Sequence, residues 1–346
     1  MKAVLHIGPI NSRGGMSRTI NEMISNPPDG WSSHSLESHV DGSLLRKINV
    51  WRSSLRRMDA LVNKFDIDII HIHAASDVSW FRKKTFIRRS LKLGLPVILS
   101  IHGGNFHKFC KGNFGIFGSG VRRLLDNPKI TTVALTERCK KKISPWTGSS
   151  TKVIPNFISI PDQDPSIIPR KTGRLLFIGR DSKEKRVGFA VEVANRLQKK
   201  GYDTTLVLAG IERNSRSLPK GGEGENIDPR GWLERKEISS LIRNSWALLI
   251  TSEYEALPMA VLEAMYHGLP IIGSEAVDGI YRNSGLVIRD DDPEVWASKI
   301  GNLLESPERW TKMSNSGPLE STIFDSMIVR NQWLELYSSI VNNHSR

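Results

Sequence analysis

The sequence predicts an α/β chain built of two Rossmann-like, doubly wound domains. Three observations lead there. The chain has 346 residues, and domains usually run to ~150, so two are expected, each able to bury its own core. Short runs rich in Val, Ile and Leu alternate with longer helical patterns, as buried parallel strands alternate with crossover helices. The alternation occurs twice, with a proline-rich break between the two series.

In the first series the apolar runs are KAVLHIG (2–8), IDIIHIH (67–73), PVILSIH (96–102), ITTVAL (130–135) and KVIP (152–155). The break is PNFISIPDQDPSIIPRKTG (155–173), with four prolines. It sets the expected division: residues 1–160, residues 161–325, and a C-terminal stretch over 326–346. The second series is RLLFIG (174–179), TTLVLAG (204–210), WALLIT (246–251), LPIIGS (269–274) and GLVI (285–288). Helical stretches such as 186–200 and 234–244 supply crossovers. The segment 213–231 is polar and glycine-rich and reads as a mobile loop. No repeat or low-complexity tract interrupts the pattern.

Composition excludes several classes. Two cysteines, Cys110 and Cys139, are too few for a disulfide framework or a structural zinc site. The opening apolar run breaks at Gly8-Pro9, too short for a signal peptide, and no run approaches the ~20 residues that span a bilayer. The expected location is cytoplasmic, with peripheral contact on the inner face of the membrane. The net charge of +13 is unevenly placed. Residues 1–165 hold 25 basic and 12 acidic side chains (25 − 12 = +13), and residues 166–346 hold 24 of each. The first half therefore meets an anionic partner. Its main basic segments are 51–59 and 80–94. The second interleaves Trp80, Phe81, Phe86 and Ile87 with Arg82, Lys83, Lys84, Arg88 and Arg89. That pattern fits an interfacial helix on anionic lipid, and equally a crossover helix with a solvated basic side.

Doubly wound sheets bind ligands where strands lead into helices. The first strand runs into PINSRGG, so Gly14-Gly15 open a helix whose free amides suit a phosphate, or form a flexible turn. RLLFIG runs into RDSKEKR. There Arg180 and Lys185 are placed to clamp a diphosphate, or sit on a solvated turn. WALLIT runs into SEYEALPMAVLEAM, with a helix starting near Leu257-Pro258. Glu255 precedes that helix and Glu263 lies one to two turns inside it. A ligand with a phosphate at the helix start and hydroxyls on either side satisfies both carboxylates. Otherwise Glu255 caps the helix and Glu263 is solvated.

Together these motifs resemble the retaining glycosyltransferases of glycosyltransferase family 4. EALPMAVLE matches the family's E-x7-E motif, IGRDSKEKR its G-R-x-x-x-x-K loop, and SIHGG (100–104) its histidine loop. The resemblance is strongest from about 173 to 290. It implies the GT-B fold, with two Rossmann-like domains facing across a cleft: 1–160 binding the acceptor, 161–325 binding the donor, and a C-terminal helix over 326–346 packing back toward the first. It implies that Arg180 and Lys185 hold the donor diphosphate and that Glu263 binds ribose hydroxyls. Leu257, Pro258, Met259 and Ala260 would bind phosphate and sugar through their backbone. Glu255 would contact the transferred sugar, His102 would sit over its reacting face, and Gly14-Gly15 would close on the diphosphate. His71 and His73 read as structural. Three positions depart from the family pattern: Arg186, Ala256 and Phe157 each stand where glycine is usual.

The implied reaction moves a hexose from a nucleotide diphosphate sugar to a hydroxyl of a glycan or lipid-linked acceptor, with retention, in polysaccharide or glycolipid synthesis. No cofactor or metal is expected, because no His/Asp/Glu spacing forms a ligand box. The alternatives are a GT-B nucleotide-sugar epimerase or hydrolase and a basic nucleic-acid-binding protein. The latter lacks any reader motif, and no nucleic acid partner is expected.

Overall fold

The structure, a computed structural model, describes residues 1–76, 78–112, 116–148, 151–159, 172–218 and 226–344. The chain forms two units, Met1–Phe157 with Ser326–Arg346, and Ile158–Asp325.

The first unit is a parallel sheet of β1 (Lys2–Gly8), β2 (Trp31–Glu37), β3 (Ile69–Ala74), β4 (Val97–Ile101), β5 (Ile130–Ala134) and β6 (Lys152–Val153). The strand order is β2-β1-β3-β4-β5-β6. Its helices are α1 (Gly15–Ser25), α2 (Leu44–Phe65), α3 (Val78–Lys92), α4 (Phe106–Lys111), α5 (Ile116–Leu125) and α6 (Glu137–Thr147). Local chemistry sets their ends. Ser43 and Thr136 accept backbone N–H bonds at the starts of α2 and α6, and Asp66 ends α2 in the left-handed region.

The second unit is a parallel sheet of β7 (Arg174–Ile178), β8 (Thr205–Ala209), β9 (Ile227–Gly231), β10 (Ala247–Ile250), β11 (Ile271–Ser274) and β12 (Gly285–Ile288). It is ordered β12-β11-β10-β7-β8-β9. Its helices are α7 (Val187–Lys199), α8 (Arg235–Asn244), α9 (Met259–Tyr266), α10 (Pro293–Leu304) and α11 (Pro307–Ser321).

Each apolar run of the sequence forms a strand. Two strands had no such run. β2 (WSSHSLE) and β9 (IDPRG) are both edge strands. An edge strand has one neighbour and needs few apolar side chains, and Pro229, without an N–H, is tolerated there. The expected loop 213–231 is corrected accordingly: its last five residues are β9, while 219–225 lie outside the described residues.

The two faces of the first sheet differ. Leu5, Ile7, Ile70, Ile72, Leu99 and Ile101 face one core with Trp80, Phe86 and Ile87 of α3. Val4, Ile69, Ile98 and Val133 face a second core. That core is closed by α12 (Ser326–His344), through Val329, Trp333, Leu336, Tyr337 and Ile340. Strand alternation puts His6, His71 and His73 on the α12 side.

Candidate active site

Both sheets present their reading residues at the reversal of strand order, where a crevice opens at the strands' carboxyl ends. In the second unit the reversal lies between β7 and β10. The loops leaving these strands carry Arg180 and Lys185, and Glu255. They are laced together. Glu253 N–H donates to Glu184 O (2.8 Å), and Thr251 Oγ1 donates to Lys185 O (2.8 Å). Lys185 Nζ donates to Glu255 Oε1 at 2.5 Å, and Ser252 Oγ donates to the same oxygen at 2.7 Å. The pair is largely shielded, Lys185 22% and Glu255 12% exposed. Arg180 is exposed and has no ion pair or hydrogen-bond partner among the described residues. The structure thus brings Lys185 to Glu255 and leaves Arg180 open to an anion.

Helix α9 starts at Met259, later than Leu257-Pro258, with Pro258 extended (φ −71°, ψ 130°) just ahead of it. Leu257 and Met259 bury their side chains, so only their backbone could meet a ligand. No side-chain cap and no acidic residue occupies the first turn of α9, which keeps its positive end uncompensated. Glu263 is half-buried on the second turn.

Arg186, where glycine is usual, adopts φ 53°, ψ 49°. This left-handed conformation explains the family's glycine there. Here the cost is offset by contacts. The guanidinium lies 4.2 Å from the Phe189 ring centroid and donates to Asp291 Oδ1 at 2.7 Å.

In the first unit the reversal lies between β1 and β3. The loop after β1 is held by Glu37 at the end of β2, a residue the motifs did not reveal. Its carboxylate accepts from Ile10 N (3.0 Å), Asn11 N (2.8 Å), Asn11 Nδ2 (3.0 Å) and His39 N (3.3 Å). The loop ends at Gly14 (φ 136°, ψ 172°), which begins α1 without a side-chain cap or first-turn acid. Such a φ suits only glycine.

His102 follows β4, half-buried, with its N–H on Ala74 O (2.8 Å). Its Nε2 lies 3.0 Å from Nδ1 of His73, whose Nε2 lies 3.1 Å from Nδ1 of His6. His71 meets Tyr337 OH through Nδ1 (2.9 Å) and Ser100 Oγ through Nε2 (2.8 Å). Burial pushes His6 down to about 3 and His102 down to about 4. It also pushes His71 and His73 well below the usual histidine range. Ring nitrogens of His6, His71 and His73 lie within 4.8 Å of one another, a grouping that can hold a metal ion. Sequence spacing hid it, because the rings come from β1 and β3. Every one of those nitrogens already has a hydrogen-bond partner, His6 Nε2 through Ser33 Oγ at 3.5 Å. An ion would have to break these bonds.

Most of the 80–94 segment lies in α3, whose apolar residues are divided: Phe81 is 48% exposed. Trp80, Phe86 and Ile87 are buried, as in the crossover-helix reading of this segment. Lys83 is 1% exposed and donates to Ile7 O (3.1 Å) and to Ser38. Arg89 pairs with Asp59. The open basic surface is on α2 instead. Arg46, Arg52, Arg56 and Arg57 are exposed there, beside Leu44 and Leu45 at 71% and 74% exposure.

The comparisons agree with this geometry. Residues 161–319 match the family model of glycosyl transferases group 1, and residues 29–137 match glycosyl transferase 4-like. The chain is 24% identical over 178 residues to the amylovoran biosynthesis glycosyltransferase AmsD of Erwinia amylovora, covering 49% of each chain. It therefore spans about half the length of that relative. Among solved structures it resembles sucrose-phosphate synthase of Thermosynechococcus elongatus, with TM-score 0.79, 14% identity, and coverage of 99% of this chain and 100% of that one. It also resembles HepE of Anabaena, solved with UDP and glucose, with TM-score 0.73, 14% identity, and coverage of 98% and 100%. Two parallel six-stranded α/β units give the chain the GT-B fold, with residues 161–319 similar to the group 1 glycosyl transferases and residues 29–137 similar to the glycosyl transferase 4-like domains.

Proposed function

We propose that the protein is a retaining hexosyltransferase that moves a sugar from a nucleotide diphosphate donor to a hydroxyl of a glycan or lipid-linked acceptor. The observation that carries this reading is the β7–β10 reversal, where an open Arg180 stands near a Lys185–Glu255 pair. A donor diphosphate is the anion that this arrangement suits. It meets Arg180, Lys185 and the uncapped start of α9, and Glu263 takes the ribose hydroxyls. The solved neighbour carrying UDP and glucose supports a UDP-sugar donor. The amylovoran-synthesis relative supports an acceptor in cell-surface polysaccharide.

In the proposed step the bond from the anomeric carbon to the diphosphate oxygen breaks. A bond to the acceptor oxygen forms on the same face, and the acceptor proton passes to the leaving diphosphate. The alternative double displacement needs a carboxylate nucleophile. Glu255 is poorly suited, because Lys185 and Ser252 already occupy one of its oxygens. Glu255 instead orients the sugar, with His102 assigned to the reacting sugar and Gly14-Gly15 to the diphosphate on the strength of the family resemblance. Cationic side chains and helix starts neutralise the leaving group, so no divalent ion is required.

The exposed basic face of α2 docks on anionic lipid at the inner face of the membrane, where each basic residue contributes ~1 kcal/mol. No described helix is long and apolar enough to cross a membrane.

The test is a thermal-shift screen of UDP-, GDP- and ADP-sugars, followed by product stereochemistry with excess EDTA present. One donor should raise the melting temperature, and turnover should retain configuration. Inverted product, or loss of turnover restored by manganese or magnesium, would refute the mechanism. Glu263→Ala should raise the donor KM with little change in kcat, since ribose contacts are equal in ground and transition states.

A further inference from the structure

The rings behind His102 form a single directed row. The links are His6 Nδ1 to His73 Nε2 (3.1 Å) and His73 Nδ1 to His102 Nε2 (3.0 Å). Each link joins Nδ1 of one ring to Nε2 of the next. A neutral imidazole has one N–H donor and one bare acceptor. Three neutral rings linked in this way must therefore share one tautomer. Either all three carry the proton on Nε2, or all three carry it on Nδ1. A mixed row would place two donors or two lone pairs face to face.

Neutrality is secured by the setting. His6 and His73 are 1% exposed and pack against His71, with ring centroids 4.9 and 4.2 Å from it. Burial disfavours protonation of each ring, and at His73 the neighbouring His71 and His102 disfavour it further. The neighbouring His71, packed against the row but not bonded to it, has the same form available. Its Nδ1 meets Tyr337 OH, a buried phenol kept protonated because burial pushes its ionisation well up. Where that hydroxyl donates, His71 carries its proton on Nε2, toward Ser100 Oγ. The Nε2–H form is also the intrinsically favoured one for a histidine side chain, and the row applies that preference three times over.

We propose that His6 and His73 are positioning residues that lock His102 as the neutral Nε2–H tautomer, so that its remaining ring nitrogen, Nδ1, presents a lone pair. Such an Nδ1 accepts a hydrogen bond from a hydroxyl and cannot donate one. It therefore selects a sugar hydroxyl at the position where His102 acts, and rejects a carbonyl or a carboxylate. The part of this inference that concerns substrate rests on the role proposed for His102 above; the tautomer lock does not.

The experiment separates the two. Protein labelled with ¹⁵N in histidine is examined by long-range ¹H–¹⁵N correlation at neutral pH. His6, His73 and His102 should all show a protonated Nε2 and a bare Nδ1. Any of the three found as Nδ1–H overturns the row. In His73→Phe, which keeps a ring in the layer but breaks both links, His102 should show an average of the two tautomers. The kcat should fall at least tenfold with donor KM unchanged. His102 remaining purely Nε2–H in this variant overturns the positioning role. His6→Phe leaves the His73–His102 link intact, so it should give a smaller loss in kcat and a partial loss of the tautomer bias. That variant also guards against misfolding of the first. If His102 loses its fixed tautomer while kcat is unchanged, the lock stands and the assignment of His102 to the reacting sugar fails.

Discussion

At the scale of single residues, the two cations of the loop after β7, Arg180 and Lys185, differ in their surroundings. Arg180 is exposed and has no partner among the described residues, whereas Lys185 is paired with Glu255. Arg180→Ala should weaken donor binding by about 1.5–3 kcal/mol and leave the melting temperature unchanged. Lys185→Ala should weaken binding and also lower the melting temperature, because it leaves Glu255 shielded with only Ser252 beside it. Calorimetric titration and scanning calorimetry on both variants check this. An equal effect on melting would refute the distinction. Arg186 offers a second comparison. Arg186→Ala should be about 1 kcal/mol less stable than Arg186→Gly, because alanine keeps the cost of the left-handed conformation and both variants lose the Phe189 and Asp291 contacts. The E-x7-E and G-R-x-x-x-x-K patterns were legible in the sequence. The ion pair joining them was not, because Lys185 and Glu255 are 70 positions apart and meet only through the pairing of β7 with β10.

At the scale of elements, the layer between the first sheet and α12 titrates. His6, His71 and His73 are neutral when folded and ordinary histidines when unfolded. The folded values are depressed, so between pH 6.5 and the folded value the unfolded chain binds more protons. Stability therefore falls as pH drops through that window. At pH 5 the loss is about 2 kcal/mol for a histidine such as His6. Melting curves from pH 7.5 to pH 4.5 should fall steeply, and His6→Phe should flatten the slope. Tyr337→Phe should cost about 1–3 kcal/mol at pH 7, since it strands His71 Nδ1 without its partner. Here too the sequence was partly legible. Apolar runs announced the central strands, but β2 and β9 lack them because edge strands need little burial. The histidine layer was invisible because register, not spacing, aligns His6 with His71. The basic run of α3 misled because periodicity alone does not say which cation is turned inward, and Lys83 is.

At the scale of the whole molecule, charge and surface predict docking. Charge reversal of Arg46, Arg52, Arg56 and Arg57 on α2 should abolish sedimentation with anionic vesicles and leave donor affinity unchanged. Charge reversal of Arg88 alone, on α3, should do little. Binding by the wild type should weaken as salt rises, because the Debye length shortens to ~8 Å at physiological ionic strength. Vesicle binding that ignores the α2 reversal would assign the basic half to another anion.

Helix α12 completes the first unit although it follows the second in the chain. During synthesis, the strands of that unit emerge early but wait for Trp333 and Tyr337 to cover Trp31 and His71. The second unit, Ile158–Asp325, is contiguous and is translated in full before α12. The second unit should therefore reach its native state without α12, and a released chain truncated before Ser326 should protect the second unit from protease while the first is cleaved.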